Sequence, residues 1–186
     1  VFISDDWGDQ RIKDEVSYQR LLQAGIPVDK SHHTKYGALF TFEDLFGLYE
    51  VLSSFKDING RYAVFTPFMV MANPDFRKIE NSLFEKYYYE VFADTLIKQT
   101  EGDKTLAAMM EGMRLHLFEP EFHGRDHLNV PLWLKHLKKG DERLNVAFRN
   151  SYAFCRIPST HISLAHAFYF ETEEDIMFLN DSIKDG

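Results

Sequence analysis

Short apolar runs that end in polar residues alternate along this chain with longer amphipathic segments, and that alternation constrains the fold more than any single residue. Val1-Phe2-Ile3 reads as a buried strand that presents Asp5 and Asp6 at its C-terminal edge. Lys13 to Ala24 follows as a helix, with Val16, Tyr18, Leu21 and Leu22 as its apolar positions and Gly25 then Pro27 as its stop. Thr41, with Asp44 three residues on, forms a capping-box variant for a helix that runs to about Lys56. Its Leu45, Leu48, Tyr49 and Leu52 share one face. Tyr62 to Met71 is almost continuously apolar and reads as a buried strand ending at Asn73-Pro74, with Pro67 requiring an edge or a bulge.

Phe76 to Gly102 is less regular, with a helix ending near Leu96 to Lys98. Beyond it the pattern predicts a helix over Thr105 to Leu115 and a strand over Leu117 to Phe122 that delivers His123. It then gives a helix over Leu132 to Lys139 stopped by Gly140, a strand over His161 to Phe170, and a helix over Glu173 to Ile183. Such an order predicts an α/β domain with a mostly parallel sheet or barrel, and 186 residues suffice for one domain with a full core. The chain opens inside an apolar run and closes just past an amphipathic one, so both ends read as boundaries within a longer protein.

The net charge of -8 argues against a nucleic-acid or anionic-membrane partner, because either needs a basic face. A polar neutral or cationic substrate fits better. No apolar run is long enough to span a bilayer, and the opening residues carry no basic-then-apolar export signal, so any such signal would lie outside residues 1–186. The single cysteine, Cys155, excludes an internal disulfide and a thiolate cluster, which leaves histidines and carboxylates as ligands for a transition metal and leans the compartment to cytoplasm.

Three places put polar groups at the predicted C-terminal end of a strand, where α/β folds bind ligands: Asp5-Asp6, Asn73, and His123 to His127. The four-residue spacing of the two histidines brings both imidazoles to one side of a helical turn or tight loop. With a carboxylate they complete a three-ligand site that keeps positions open for water and substrate. Spacing alone is equally compatible with two surface histidines and with aspartates that cap the next helix. Trp7, Trp133 and Tyr87-Tyr88-Tyr89 offer flat faces for a sugar ring or, equally, for a core, and Asn73 either contacts substrate or forms the turn before Pro74.

Phe2-Ile-Ser-Asp-Asp6 and Phe122-His-Gly-Arg-Asp-His-Leu-Asn129, followed by Trp133, resemble the first two motifs of the NodB-like polysaccharide deacetylases, the carbohydrate esterase 4 group, in the form found beside capsule and surface-polysaccharide genes. The resemblance implies a distorted (β/α) barrel whose activity is hydrolysis of an N-acetyl, less often an O-acetyl, group on an oligo- or polysaccharide. It makes Asp5 the general base that takes a proton from the attacking water, and Asp6, His123 and His127 the ligands of a divalent metal. Zinc is the default ion, with cobalt, nickel or manganese suited to the same ligands. The long gap between the motifs implies an insertion around residues 76–114. Trp7, Asn73, Arg149 and Tyr152 are the substrate-binding candidates, the last two as a third motif, and His161 and His166 are candidates for the general acid. The remaining motifs are expected beyond Gly186, which makes residues 1–186 a partial catalytic domain. Two other readings stay open: a non-catalytic carbohydrate-binding remnant of the same fold, and a different mononuclear metallohydrolase.

Overall fold

The computed structural model describes residues 1–186. In chain order the elements are β1 (Phe2–Trp7), α1 (Glu15–Gln23), α2 (His32–Lys35), α3 (Phe42–Ser53), β2 (Phe65–Val70), β3 (Ala72–Pro74) and α4 (Phe76–Asn81). There follow β4 (Tyr89–Val91), α5 (Phe92–Ile97), α6 (Gly102–Arg114), β5 (Glu121–Gly124), α7 (Val130–Lys138), α8 (Glu142–Arg149) and α9 (Glu173–Asp185). The fold is mixed α/β. Three strands form a parallel sheet in the order β1-β2-β5, and β3 pairs antiparallel with β4. The expected barrel is not closed: β1 and β5 are both edges.

Local chemistry explains where most helices begin and end. Asp14 caps α1 by accepting the Ser17 N–H at 2.7 Å, and the chain leaves the helix through Gly25 at φ +74. Thr41 and Asp44 close a full capping box on α3, whose Leu45 and Leu52 are buried. Pro67 lies in the central strand rather than at an edge. Phe65 bridges Phe118 and pairing with β5 resumes only at Phe68 opposite Glu121, so no ladder bond is asked of Pro67 in between.

Two further expectations fail. The opening strand forms but is not buried, since Phe2 and Ile3 are 60% and 66% exposed; an edge strand of an open sheet has nothing packed over these side chains. Residues 161–170 are turns, not a strand. Their backbone is satisfied by Asn129, whose N–H donates to the Leu164 carbonyl and whose side-chain amide donates to the carbonyls of His166 and Tyr169, at 2.7–2.9 Å. The same Asn129 caps α7 through the Leu132 N–H, so one side chain ties this segment to the helix that follows the histidine pair.

The main core gathers 18 buried residues from α1, the loop after it, α4, α7, α8 and the segment after α8. Trp133 sits at its centre, fully buried against Phe76 and Phe148, which ends its candidacy as a sugar platform. A smaller cluster of Leu39, Met69, Phe92 and Leu96 lies beneath Trp7 and Phe40. No helix is long and apolar enough to cross a membrane.

Candidate metal centre

The sheet presents Asp6 and His123 by breaking register on both sides of one strand. Ser4 stands opposite Pro67 and Trp7 opposite Met69, so residues 4 to 7 of β1 match 67 to 69 of β2. The extra residue falls at Asp5-Asp6. On the other side Phe122 stands opposite Met69 and Gly124 opposite Val70, so residues 122 to 124 match 69 to 70 and His123 is the extra residue. Such bulges re-aim a side chain that the two-residue repeat would send elsewhere. Asp6 adopts φ 63, a left-handed conformation that aspartate tolerates at a cost of about 1–3 kcal/mol. Gly8 follows at φ +89, where a Cβ would lie 2.4 Å from the Val70 carbonyl oxygen; only glycine fits that turn.

The result is convergence. His123 Nε2 lies 3.4 Å and His127 Nε2 3.2 Å from the same oxygen, Asp6 Oδ1. Donor atoms of all three residues lie within 4.8 Å of one another, so the group can hold a metal ion. Ligand atoms placed 2.0–2.1 Å from a tetrahedral ion stand about 3.3 Å apart, and both measured edges match. The donor set, two imidazoles and one carboxylate, suits a borderline divalent cation. The two rings stack at 5.6 Å, and Phe68 backs the His123 ring at 6.1 Å. All three side chains remain between 25% and 31% exposed, so one side of the site is open to solvent.

Two residues of the site escaped the sequence reading. Arg11 donates from Nη2 to Asp6 Oδ2 at 3.2 Å, and its Nε lies 2.8 Å from Asp9 Oδ2. The second contact is an ion pair without hydrogen-bond alignment, which leaves Asp9 Oδ2 buried and without a donor. Burial pushes the Asp9 carboxyl above the usual carboxylate range, against the pull of Arg11 and of His127. His127 Nδ1 is likewise buried without a partner. The signal was the charge that continues past the strand, in Asp9 and Arg11, after the aspartate pair.

The other candidates separate. Asp5 is exposed and lines, with Asp6, Trp7, His33, Tyr36 and Phe40, a groove of about 530 Å³ on the near side of β1. His32 and His33, which sequence alone places on a surface loop, border that groove as part of α2. Trp7 lines it as well, although its ring packs on Phe40, Phe65 and Phe118 at 5.1–5.7 Å. Asn73 is buried and its amide is committed: Oδ1 accepts the Gln10 N–H at 2.8 Å and Nδ2 donates to the Gly8 carbonyl at 2.9 Å. It therefore shapes the loop that carries Asp9 and Arg11. Tyr152 is a core residue whose hydroxyl donates to the Phe154 carbonyl, while Arg149 is exposed at the end of α8. His161 and His166 are exposed on the 161–170 turns and stand outside the ligand group.

Arg125 and Asp126, inside the histidine motif, face the fold. Arg125 donates to Asp126 at 2.6 Å and to Asp185 of α9 at 3.1 Å, and its guanidinium lies over the rings of Tyr89, Phe178 and Tyr87 at 4.7–5.6 Å. The Tyr87 hydroxyl also donates to Asp126. This removes Tyr87 and Tyr89 from the sugar-stacking candidates. Comparison with protein-family models, with curated proteins and with solved structures finds no match for this chain.

Proposed function

We propose that the protein is a metal-dependent hydrolase that removes an N-acetyl, or less often O-acetyl, group from a carbohydrate, in the manner of the polysaccharide deacetylases. The observation that carries this reading is the approach of His123 and His127 to a single oxygen of Asp6, with a solvent-accessible side and a groove beginning at the same aspartate. Zinc is the ion that two imidazoles and a carboxylate favour. Bound there, a divalent ion lowers the pKa of water and polarises an acyl carbonyl.

The chain's own residues supply the rest. Asp5, adjacent to a ligand and exposed in the groove, accepts the proton of the attacking water. Trp7, Tyr36 and Phe40 give the groove apolar faces against which a pyranose ring can lie. The same reading makes the three-stranded sheet part of a barrel-like layer with the site at the C-terminal ends of its strands.

The test is acetate release from N-acetylhexosamine oligomers with zinc supplied. Wild type should release acetate, and Asp5→Asn should bind zinc as wild type does while losing at least about 100-fold in rate, the scale of general-base catalysis. Zinc binding with no acetate from N- or O-acetylated sugars would refute the reading and favour a carbohydrate-binding role. Retained activity in Asp5→Asn would remove Asp5 as the base.

A further inference from the structure

We propose that Arg11 is a positioning residue that makes Asp6 a one-oxygen ligand and thereby keeps a coordination position of the ion free. The inference rests on the metal-site reading of Asp6, His123 and His127, and is independent of which reaction the site performs. Asp6 Oδ1 faces both histidines, whereas Oδ2 accepts the Arg11 Nη2 hydrogen bond at 3.2 Å. A carboxylate can chelate a cation through both oxygens or bind it through one. With a guanidinium on Oδ2, one lone pair is engaged, and the positive charge repels a second cation from that side.

Arg11 is itself held on every side. Its guanidinium stacks over Phe154 at 4.1 Å, its Nε faces Asp9 at 2.8 Å, and its backbone N–H donates to the Gly37 carbonyl at 3.0 Å. Gly37 is the only residue type that admits this approach, since a Cβ there would come within 2.7 Å of Arg11 Cβ and 2.3 Å of the His33 carbonyl. An arginine fixed beside a divalent cation would weaken binding by repulsion unless its charge were cancelled. Buried Asp9 cancels it, which accounts for a carboxylate kept in a site that raises its pKa. Lysine cannot do the same work, because one ammonium does not span two carboxylates as the guanidinium fork does.

The experiment loads wild type, Arg11→Lys, Asp9→Asn and Arg11→Met in the Asp9→Asn background with cobalt(II). It reads affinity by chelator competition, the oxygen shell by X-ray absorption, and folding by circular dichroism. Removing the Asp6 partner should add an oxygen to the shell as Asp6 turns bidentate, and change cobalt affinity by about 10- to 100-fold. Asp9→Asn should keep the wild-type shell, and Arg11→Lys should fold and still change affinity. The Asp9→Asn background avoids stranding a buried carboxylate; should the double variant fail to fold, a wild-type affinity and shell in Arg11→Lys overturns the proposal. Unchanged affinity and shell in the folded double variant overturn it too, as does a wild-type chain that binds no cobalt. Cobalt bound as described without acetate release refutes the deacetylase reading alone.

Discussion

Arg11 and Arg125 follow the two strands that build the candidate site, and each is held by the same means: two carboxylates and an aromatic face. Arg11 sits between Asp6 and Asp9 on Phe154, and Arg125 between Asp126 and Asp185 among Tyr87, Tyr89 and Phe178. They differ in what the carboxylates do. One partner of Arg11 faces the histidine pair, whereas Asp126 lies in the histidine loop beside Arg125 and takes the Tyr87 hydroxyl, and Asp185 ties that loop to α9. A guanidinium held between two carboxylates therefore marks a structural joint in either case. Only the identity of the paired carboxylate makes one joint part of a binding site.

That contrast breaks most easily at the ligands themselves. His123→Ala or His127→Ala should lower zinc affinity by more than about 100-fold, beyond the loss expected for a supporting residue, as measured by chelator competition. Wild-type affinity in either variant would place the ion elsewhere. Arg125 should show the opposite profile. Arg125→Ala strands Asp126, whose carboxyl burial already pushes upward, and should cost about 3–5 kcal/mol in urea denaturation while the folded fraction keeps its zinc affinity within a few-fold. A change of affinity matching that of the Arg11 variants would erase the distinction between the two joints.

The smallest effect lies away from both. The Ser17 N–H bond holds the Asp14 carboxyl below its ordinary value of 3.8. Its folded pKa is depressed, so the stability it adds is present above pH 3.8 and disappears as pH falls through the folded value. Because Asp14 is exposed, solvent screening keeps that contribution under about 1 kcal/mol. Wild type should exceed Asp14→Asn by that margin at neutral pH, and the two should converge on acidification below about pH 3.8. A gap that persisted in acid would assign the effect to the hydrogen bond rather than to the charge.

Most of the longer helices were legible because their signals are local, whereas α2 and α4 were not foreseen. Gly25 and Gly140 stop α1 and α7, and the Thr41–Asp44 box starts α3, all by chemistry within a few residues. Even α8, which the periodicity passed over, carries its own start in Asp141, whose side chain accepts the Leu144 N–H. The three residues of the candidate metal site were legible by type and order. Their grouping was expected from the resemblance, but the means was not legible, because it depends on an extra residue in each of two strands that flank β2, and register is set by partners distant in sequence. Asp9 and Arg11 were missed because only the turn at Gly8 brings Arg11 back onto Asp6, with Asp9 as its second partner. The false strand over residues 161–170 reads as apolar and extended, and nothing local shows that Asn129 supplies the bonds a neighbouring strand would have made.

Anomalous diffraction at the zinc edge from crystals grown with zinc is the most direct measurement of the whole account. One ion should lie about 2.0–2.2 Å from Asp6 Oδ1, His123 Nε2 and His127 Nε2, with Asp6 Oδ2 still on Arg11. An ion bound by other residues, or none at this place, would contradict it.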